Sequence, residues 1–118
     1  MSKELHWYKV IDNPLLLNFN TNNMCVIEVN GKKITIAKGK DNQLFAFAHK
    51  CPHAGGIMAD GFMNEKGCVV CPLHRYQFDC KTGRNTSGEG YYLKTYPLET
   101  KPDGLYVGMA ASGIFGFF

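Results

Sequence analysis

No apolar run in this 118-residue chain is long enough to cross a bilayer. The longest charge-free stretch is GLYVGMAASGIFGFF, 15 residues from Gly104 to Phe118, rich in glycine and short of the roughly 17 that a spanning helix needs. The opening MSKELHWYKV has no apolar segment behind its lysine, no twin arginine and no small-residue cleavage site. These absences predict a cytoplasmic protein without a secretory signal. A basic face is missing too. The 13 Lys and Arg exceed the 10 Asp and Glu by a formal +3 and are scattered, apart from Lys32-Lys33 and the Lys38/Lys40 neighbours. That is a solvated surface, without a nucleic-acid footprint. Five cysteines make an odd number, at spacings unlike a small secreted disulfide framework, and read as reduced thiols or metal ligands. No internal repeat or low-complexity linker divides the chain. Its length suits one domain, 1–118, with a continuous core but no space for a second enzyme domain. A monomer is expected.

What is present is alternation of apolar residues over short runs. MCVIEV (24–29) leads into Asn30-Gly31, a two-residue hairpin signal, and then into KKITIAK, in which Ile34 and Ile36 share a face. Asp41-Asn42 marks a turn before QLFAFA (43–48), so the three segments predict an antiparallel meander. GCVV (67–70), RYQF (75–78), YYLKTYPLE (91–99) and, past the Asp103-Gly104 turn, LYVGM (105–109) follow. Seven or eight short strands with 13 glycines predict an all-β fold, a small antiparallel barrel or sandwich. TGRNTSGEG (82–90) reads as a polar loop without a strand pattern.

Two stretches carry chemistry. KCPHAGG (50–56) and CPLHRYQ (71–77) each offer one cysteine and one histidine in turn-forming context, with Pro52 and Pro72 behind the cysteines and Gly55-Gly56 allowing a tight fold. Cys51 and His53 are one residue apart, Cys71 and His74 two, and 17 residues lie between His53 and Cys71. Thiolate with imidazole suits zinc or iron and not the hard cations, which want oxygen. Cys-x-His is a poor first half for a structural zinc site, whose pairs are spaced by two to four residues. A dinuclear iron–sulfur cluster needs two protein ligands per iron, which four ligands fill. The remaining cysteines, Cys25, Cys68 and Cys80, read as small buried apolar groups. His6 and His49 are not assigned as ligands.

The pattern C-x-H-x17-C-x2-H, as CPHAGGIMADGFMNEKGCVVCPLH, resembles the Rieske [2Fe–2S] signature, and FDCKTG (78–83) resembles the segment after the second box in bacterial Rieske ferredoxins. The resemblance implies a Rieske-like fold with two cluster-binding loops, a cluster-binding part at about 46–82 and a basal β part at 1–45 and 83–118. It implies that Cys51 and Cys71 hold the buried iron, and His53 and His74 the outer one. Gly56 and Leu73 stand where the cytochrome-complex members carry a disulfide over the cluster, so the soluble dioxygenase-type ferredoxins are the nearer match. Arg75 stands where the family often has glycine.

A one-electron carrier is the function this resemblance implies, rather than an enzyme, between a NAD(P)H-dependent flavoprotein reductase and a terminal oxygenase. Its alternatives are the small subunit of an assimilatory nitrite reductase, working with that enzyme's large subunit, and, in another class, a structural zinc interaction module. Docking is expected at a tip ringed by Ala54, Gly55, Leu73 and Arg75, with Lys50 and Arg84 at its rim. The aromatic ending GIFGFF (113–118) is left between packing, disorder and a docking role. High-potential members place a serine and a tyrosine two and four residues after the second histidine; here Tyr76 and Phe78 stand there. A reduction potential toward the low end of the Rieske range is therefore expected.

Overall fold

The computed structural model describes residues 5–52 and 55–110, and every strand pairing in it is antiparallel. The ten strands are β1 (Leu5–Ile11), β2 (Met24–Val29), β3 (Lys32–Lys38), β4 (Leu44–Ala48), β5 (Phe62–Met63), β6 (Cys68–Val70), β7 (Gln77–Asp79), β8 (Thr95–Tyr96), β9 (Leu98–Lys101) and β10 (Gly104–Ala110). They form three sheets, ordered β1-β10-β9, β2-β3-β4-β8 and β5-β6-β7. The all-β expectation holds. The predicted meander is β2-β3-β4, and its Asn30-Gly31 turn has both residues at positive φ, 52° and 77°, the backbone that a tight hairpin of this twist requires.

The four-stranded sheet is the wall between two cores. Alternate residues of a strand point to opposite faces, so Ile34, Ile36 and Ala46 join Val29, Tyr96, Val107 and Met109 on one side. Ala37 and Phe47 join Met24, Met58, Val69, Phe78 and Leu93 on the other. β3 is therefore buried on both faces, and KKITIAK is more than the one-sided strand its two isoleucines predicted. Thr35, fully buried on the second face, satisfies its hydroxyl by donating to the Ala48 carbonyl at 3.3 Å, as a buried polar group must. The second core lies beneath β5-β6-β7 and contains Cys51 and Cys71.

Three segments come out differently from the sequence expectation. β1 was not anticipated, because LHWYKVI exposes most of its side chains and draws its order from pairing with the central strand β10, Leu5 opposite Ala110 through Tyr8 opposite Val107. The run predicted at 75–78 begins only at Gln77, since Arg75 has φ 57°, outside the β region. YYLKTYPLE breaks into β8 and β9 around Pro97, which has no N–H to give a ladder but whose carbonyl accepts from Gly108 at 2.9 Å. The polar loop at 82–90 forms as expected.

Two glycines give a paired test of this frame. Gly67 (φ +81°) and Gly83 (φ +77°) share a left-handed backbone, but a Cβ on Gly67 meets nothing within 4 Å, whereas one on Gly83 falls 1.9 Å from the Leu93 carbonyl oxygen. Gly67→Ala should cost about 1 kcal/mol, the conformational term alone. Gly83→Ala should cost about 3 kcal/mol or more, at the upper end of single-substitution effects. Urea denaturation at constant m checks this, and equal losses at the two positions would contradict the packing described here.

Candidate metal centre

Each Cys/His stretch folds into a four-residue loop closed by its own cysteine. The Cys51 N–H donates to the Gly56 carbonyl and the Cys71 N–H to the Tyr76 carbonyl, both at 2.8 Å. In the first loop a bridge between Lys50 and Ile57 and the Gly55 N–H donating to the Cys51 carbonyl at 3.0 Å tighten the turn. Gly55 stands there at φ +74°, which glycine adopts without a steric cost. In the second loop His74 and Arg75 occupy the left-handed region at φ 63° and 57°, a cost of roughly 1–2 kcal/mol for each residue with a side chain. Gly56 is needed for another reason. A Cβ there would meet Leu73 Cγ at 3.0 Å and Cys71 Sγ at 3.1 Å, so the backbone of one loop packs directly on side chains of the other.

The two loops bring Cys51 and Cys71 together. Both are buried, within hydrogen-bonding reach of each other, and burial pushes the Cys71 thiol up to about 11, with Cys51 adding to the rise and a backbone hydrogen bond at Leu73 opposing it. Two thiolates side by side away from water need a positive charge between them, and iron that displaces their protons supplies one. The donor chemistry thus fits an iron–sulfur group. His74 sits exposed at the end of the second loop, its ring centroid 6.4 Å from that of Tyr76. His53, with Ala54 beside it, lies outside the described residues, and among those described no three His, Cys, Asp or Glu side chains converge as a metal site.

The residues left unassigned in the sequence fall elsewhere. Cys68 Sγ lies 3.7 Å from Thr86 Oγ1 and Cys80 Sγ lies 3.4 Å from Met63 Sδ; both side chains are buried, while Cys25 is half-buried on β2 opposite Ile36. His6 is exposed on β1, opposite Met109. His49 has its Nδ1 buried without a hydrogen-bond partner, and burial, aided by Lys33 and Lys50, lowers its pKa.

Sequence reasoning placed a polar loop at 82–90 but not beside the site. Arg84 bridges Tyr92 and Asn85 bridges Phe78, which carries the polar segment over the start of β7 and sets the Tyr91 ring 5.8 Å from that of Tyr76. The Tyr76 hydroxyl is pushed up in pKa, chiefly by burial, then by Glu89, Tyr91 and Cys51, so charges from both the third loop and the first are felt at this side chain. The small polar residues of NTSGEG signalled the loop but not what it packs against. Phe78, fully buried in the same core cluster as Cys51 and Cys71, has no hydroxyl to offer.

Residues 6–97 match the Rieske [2Fe-2S] domain. The chain is 32% identical over 74 residues to the ferredoxin component of the naphthalene 1,2-dioxygenase/salicylate 5-hydroxylase systems of Ralstonia sp, covering 62% of this chain and 69% of that one. Of some other curated relatives the matched segment spans less than two thirds, 65% of one and 12% of another. Among solved structures, the putative NADH-dependent nitrite reductase small subunit of Mycobacterium tuberculosis superposes with a TM-score of 0.76 at 17% identity, covering 92% of this chain and 98% of that one. A chain from the complex of reduced oxygenase and oxidized ferredoxin in carbazole 1,9a-dioxygenase superposes at 0.68 with 21% identity, covering 86% and 91%. At these identities the two structures establish the fold.

Cys80 yields a pH test independent of any metal. Burial, then Cys68 and Asp79, push its thiol up to about 12 from an ordinary value near 9. The folded state therefore keeps a proton that the unfolded chain releases, and the resulting stability is whole below pH 9 and lost as pH rises from 9 toward 12. Replacing Cys80 by alanine should flatten the alkaline fall in unfolding free energy, by at most about 1.4 kcal/mol per pH unit. Denaturation series at pH 8, 9, 10 and 11 compare the slopes, and identical slopes would place the Cys80 thiol in water.

Proposed function

We propose, for a chain that belongs to the Rieske [2Fe-2S] domain family and carries a Rieske-type [2Fe–2S] cluster, the role of a one-electron carrier whose cluster is held by Cys51, His53, Cys71 and His74. The observation that carries this reading is the pairing of buried Cys51 with buried Cys71 across two like loops, each of which also holds a histidine in sequence. The cluster supplies one-electron storage. The chain's own residues keep two sulfurs dry and present the exposed loop end, at His74, to a partner. Cys51 and Cys71 bind the inner iron, His53 and His74 the outer one. The whole chain acts as one domain, its cluster-bearing part at about 46–82 and its basal part at 1–45 and 83–118.

The electron source in this reading is a NAD(P)H-dependent flavoprotein reductase, and the recipient a terminal oxygenase. Support comes from the named role of the Ralstonia relative and from the oxygenase–ferredoxin complex that the fold resembles. No helix among the described residues is long and apolar enough to cross a membrane, and the three cysteines outside the ligand set, Cys25, Cys68 and Cys80, being without a disulfide, agree with a reducing, cytoplasmic setting. The fold match to a nitrite reductase small subunit favours a second reading, electron delivery to the large subunit of an assimilatory nitrite reductase. Stopped-flow mixing of the reduced protein with each class of acceptor separates the two. Structural zinc is set aside, since the family's group is an iron–sulfur cluster.

The as-purified protein should contain two irons and two acid-labile sulfides per chain and be red-brown. Cys71→Ala and His74→Ala should each bleach it and lower its thermal midpoint, because ligand binding contributes to folding free energy. Zinc without sulfide in the parent would overturn the assignment. Because Phe78 is apolar and hydrogen bonds to cluster sulfurs raise the potential, the midpoint should lie near the low end of the family range, about −150 mV. Protein-film voltammetry measures it, and Phe78→Tyr should move it upward; a parent midpoint above about +100 mV would show that the missing hydroxyls do not set it.

A further inference from the structure

Two turns that belong to different sheets face each other across an open groove of about 560 Å³, a size that suits a small molecule. One wall is the β3–β4 connection, where the Gly39 N–H donates to the Gln43 carbonyl at 2.8 Å and the Gln43 N–H to the Lys40 carbonyl at 3.1 Å. The other is the β5–β6 connection, where Asn64 Oδ1 accepts from the Lys66 and Cys68 N–H groups at 2.9 and 3.0 Å. Both walls therefore hold their shape through their own hydrogen bonds. Between them Phe45 and Met63 give the groove an apolar floor, each half-buried against the core that contains Cys51 and Cys71. The Phe45 ring rests on bare backbone, since a Cβ on Gly39 would stand 2.9 Å from its Cε2.

Charge borders this floor. Lys38, Lys40, Lys66 and Lys81 line the groove together with Asp41, Glu65 and Asp79, so cations outnumber carboxylates by one. None of the four lysines forms an ion pair with a described carboxylate; the ion pairs among the described residues are those of Lys9. Asp79 is engaged by backbone, its Oδ1 accepting from the Lys81 and Thr82 N–H groups at 2.8 and 3.0 Å, and Lys38 holds its ammonium 4.9 Å from the centre of the Phe19 ring. Lys40, Lys66 and Lys81 are exposed, each a compact charge on a flexible stem that can turn toward an anion. We propose that the groove binds a small organic anion with a flat apolar ring and at least two negative charges, the ring on Phe45 and Met63 and the charges on Lys40, Lys66 and Lys81. An uncharged ring would leave the lysines without a partner, and an inorganic anion would leave the apolar floor in water. A nucleotide and an aromatic dicarboxylate share this chemistry.

Isothermal titration of the as-purified full chain at low salt, where exposed charges are least screened, tests this with adenosine diphosphate free of magnesium and with benzene-1,4-dicarboxylate. At least one of the two should bind saturably with a Kd below about 1 mM, and more tightly than inorganic pyrophosphate; which one binds identifies the source. The double variant Lys40→Gln/Lys66→Gln should weaken that binding about tenfold, the scale of one lost hydrogen bond to a charged group, and leave the thermal midpoint unchanged, since both side chains are exposed. Glu65→Gln, which removes an opposing charge, should tighten it. Lys32→Gln/Lys33→Gln removes the same charge at the other end of β3 and should bind like the parent. Failure of both ring dianions to bind at 1 mM, pyrophosphate binding as tightly as either, or equal losses in the two lysine pairs would each overturn the proposal.

Discussion

Two hydrogen bonds, from the N–H groups of Cys51 and Cys71 to carbonyls five residues further on, hold the geometry on which the rest of the site depends. Each fixes a sulfur-bearing residue at the mouth of a loop whose tip must stay free of regular structure. A cysteine placed within a strand would present its sulfur to the sheet's own core; one placed at a loop tip would present it to water. In the second loop the cysteine side chain is buried while Leu73 and His74 stand exposed. The closure there separates the inner sulfur donors from the exposed, histidine-bearing end of that loop.

That arrangement needs a rigid floor, which the doubly buried central sheet provides. Thr35, Ala37 and Phe47 face the core beneath the cysteines while Ile34, Ile36 and Ala46 face the opposite core. Displacing either face would disturb packing on both, because a close-packed interior transmits small changes in volume. The strained pair His74 and Arg75 sits at the far edge of this framework, where backbone cost is tolerated because the flanking strand and the loop closure define the chain's path.

Much of this was legible in the residues. The hairpin at Asn30-Gly31, the meander and the two Cys/His loops are local features, written in turn chemistry and in alternation over five to seven positions. β1 was not legible, because its side chains are exposed or at most partly buried and it is held by the hydrogen bonds of a partner almost a hundred residues away. The break at Pro97 was visible as a proline but was absorbed into a longer run. The place of the 82–90 loop beside the site escaped for a further reason: Asn85 makes five polar contacts, three of them to the backbone of Gln77, Glu89 and Gly90, and no spacing rule links an asparagine to such partners.

The contact between Gly56 and the Leu73 side chain occupies the place where related proteins of the cytochrome complexes join their two loops by a disulfide. Here the closure consists of van der Waals contact between an isobutyl group and bare backbone. Thiol reductants have nothing to cut at this point, and the two loops need no oxidative step to find one another as the chain folds. Closure is instead governed by shape. Branching or shortening the side chain at 73, or adding one carbon at 56, changes how firmly the lobes meet without altering any covalent bond.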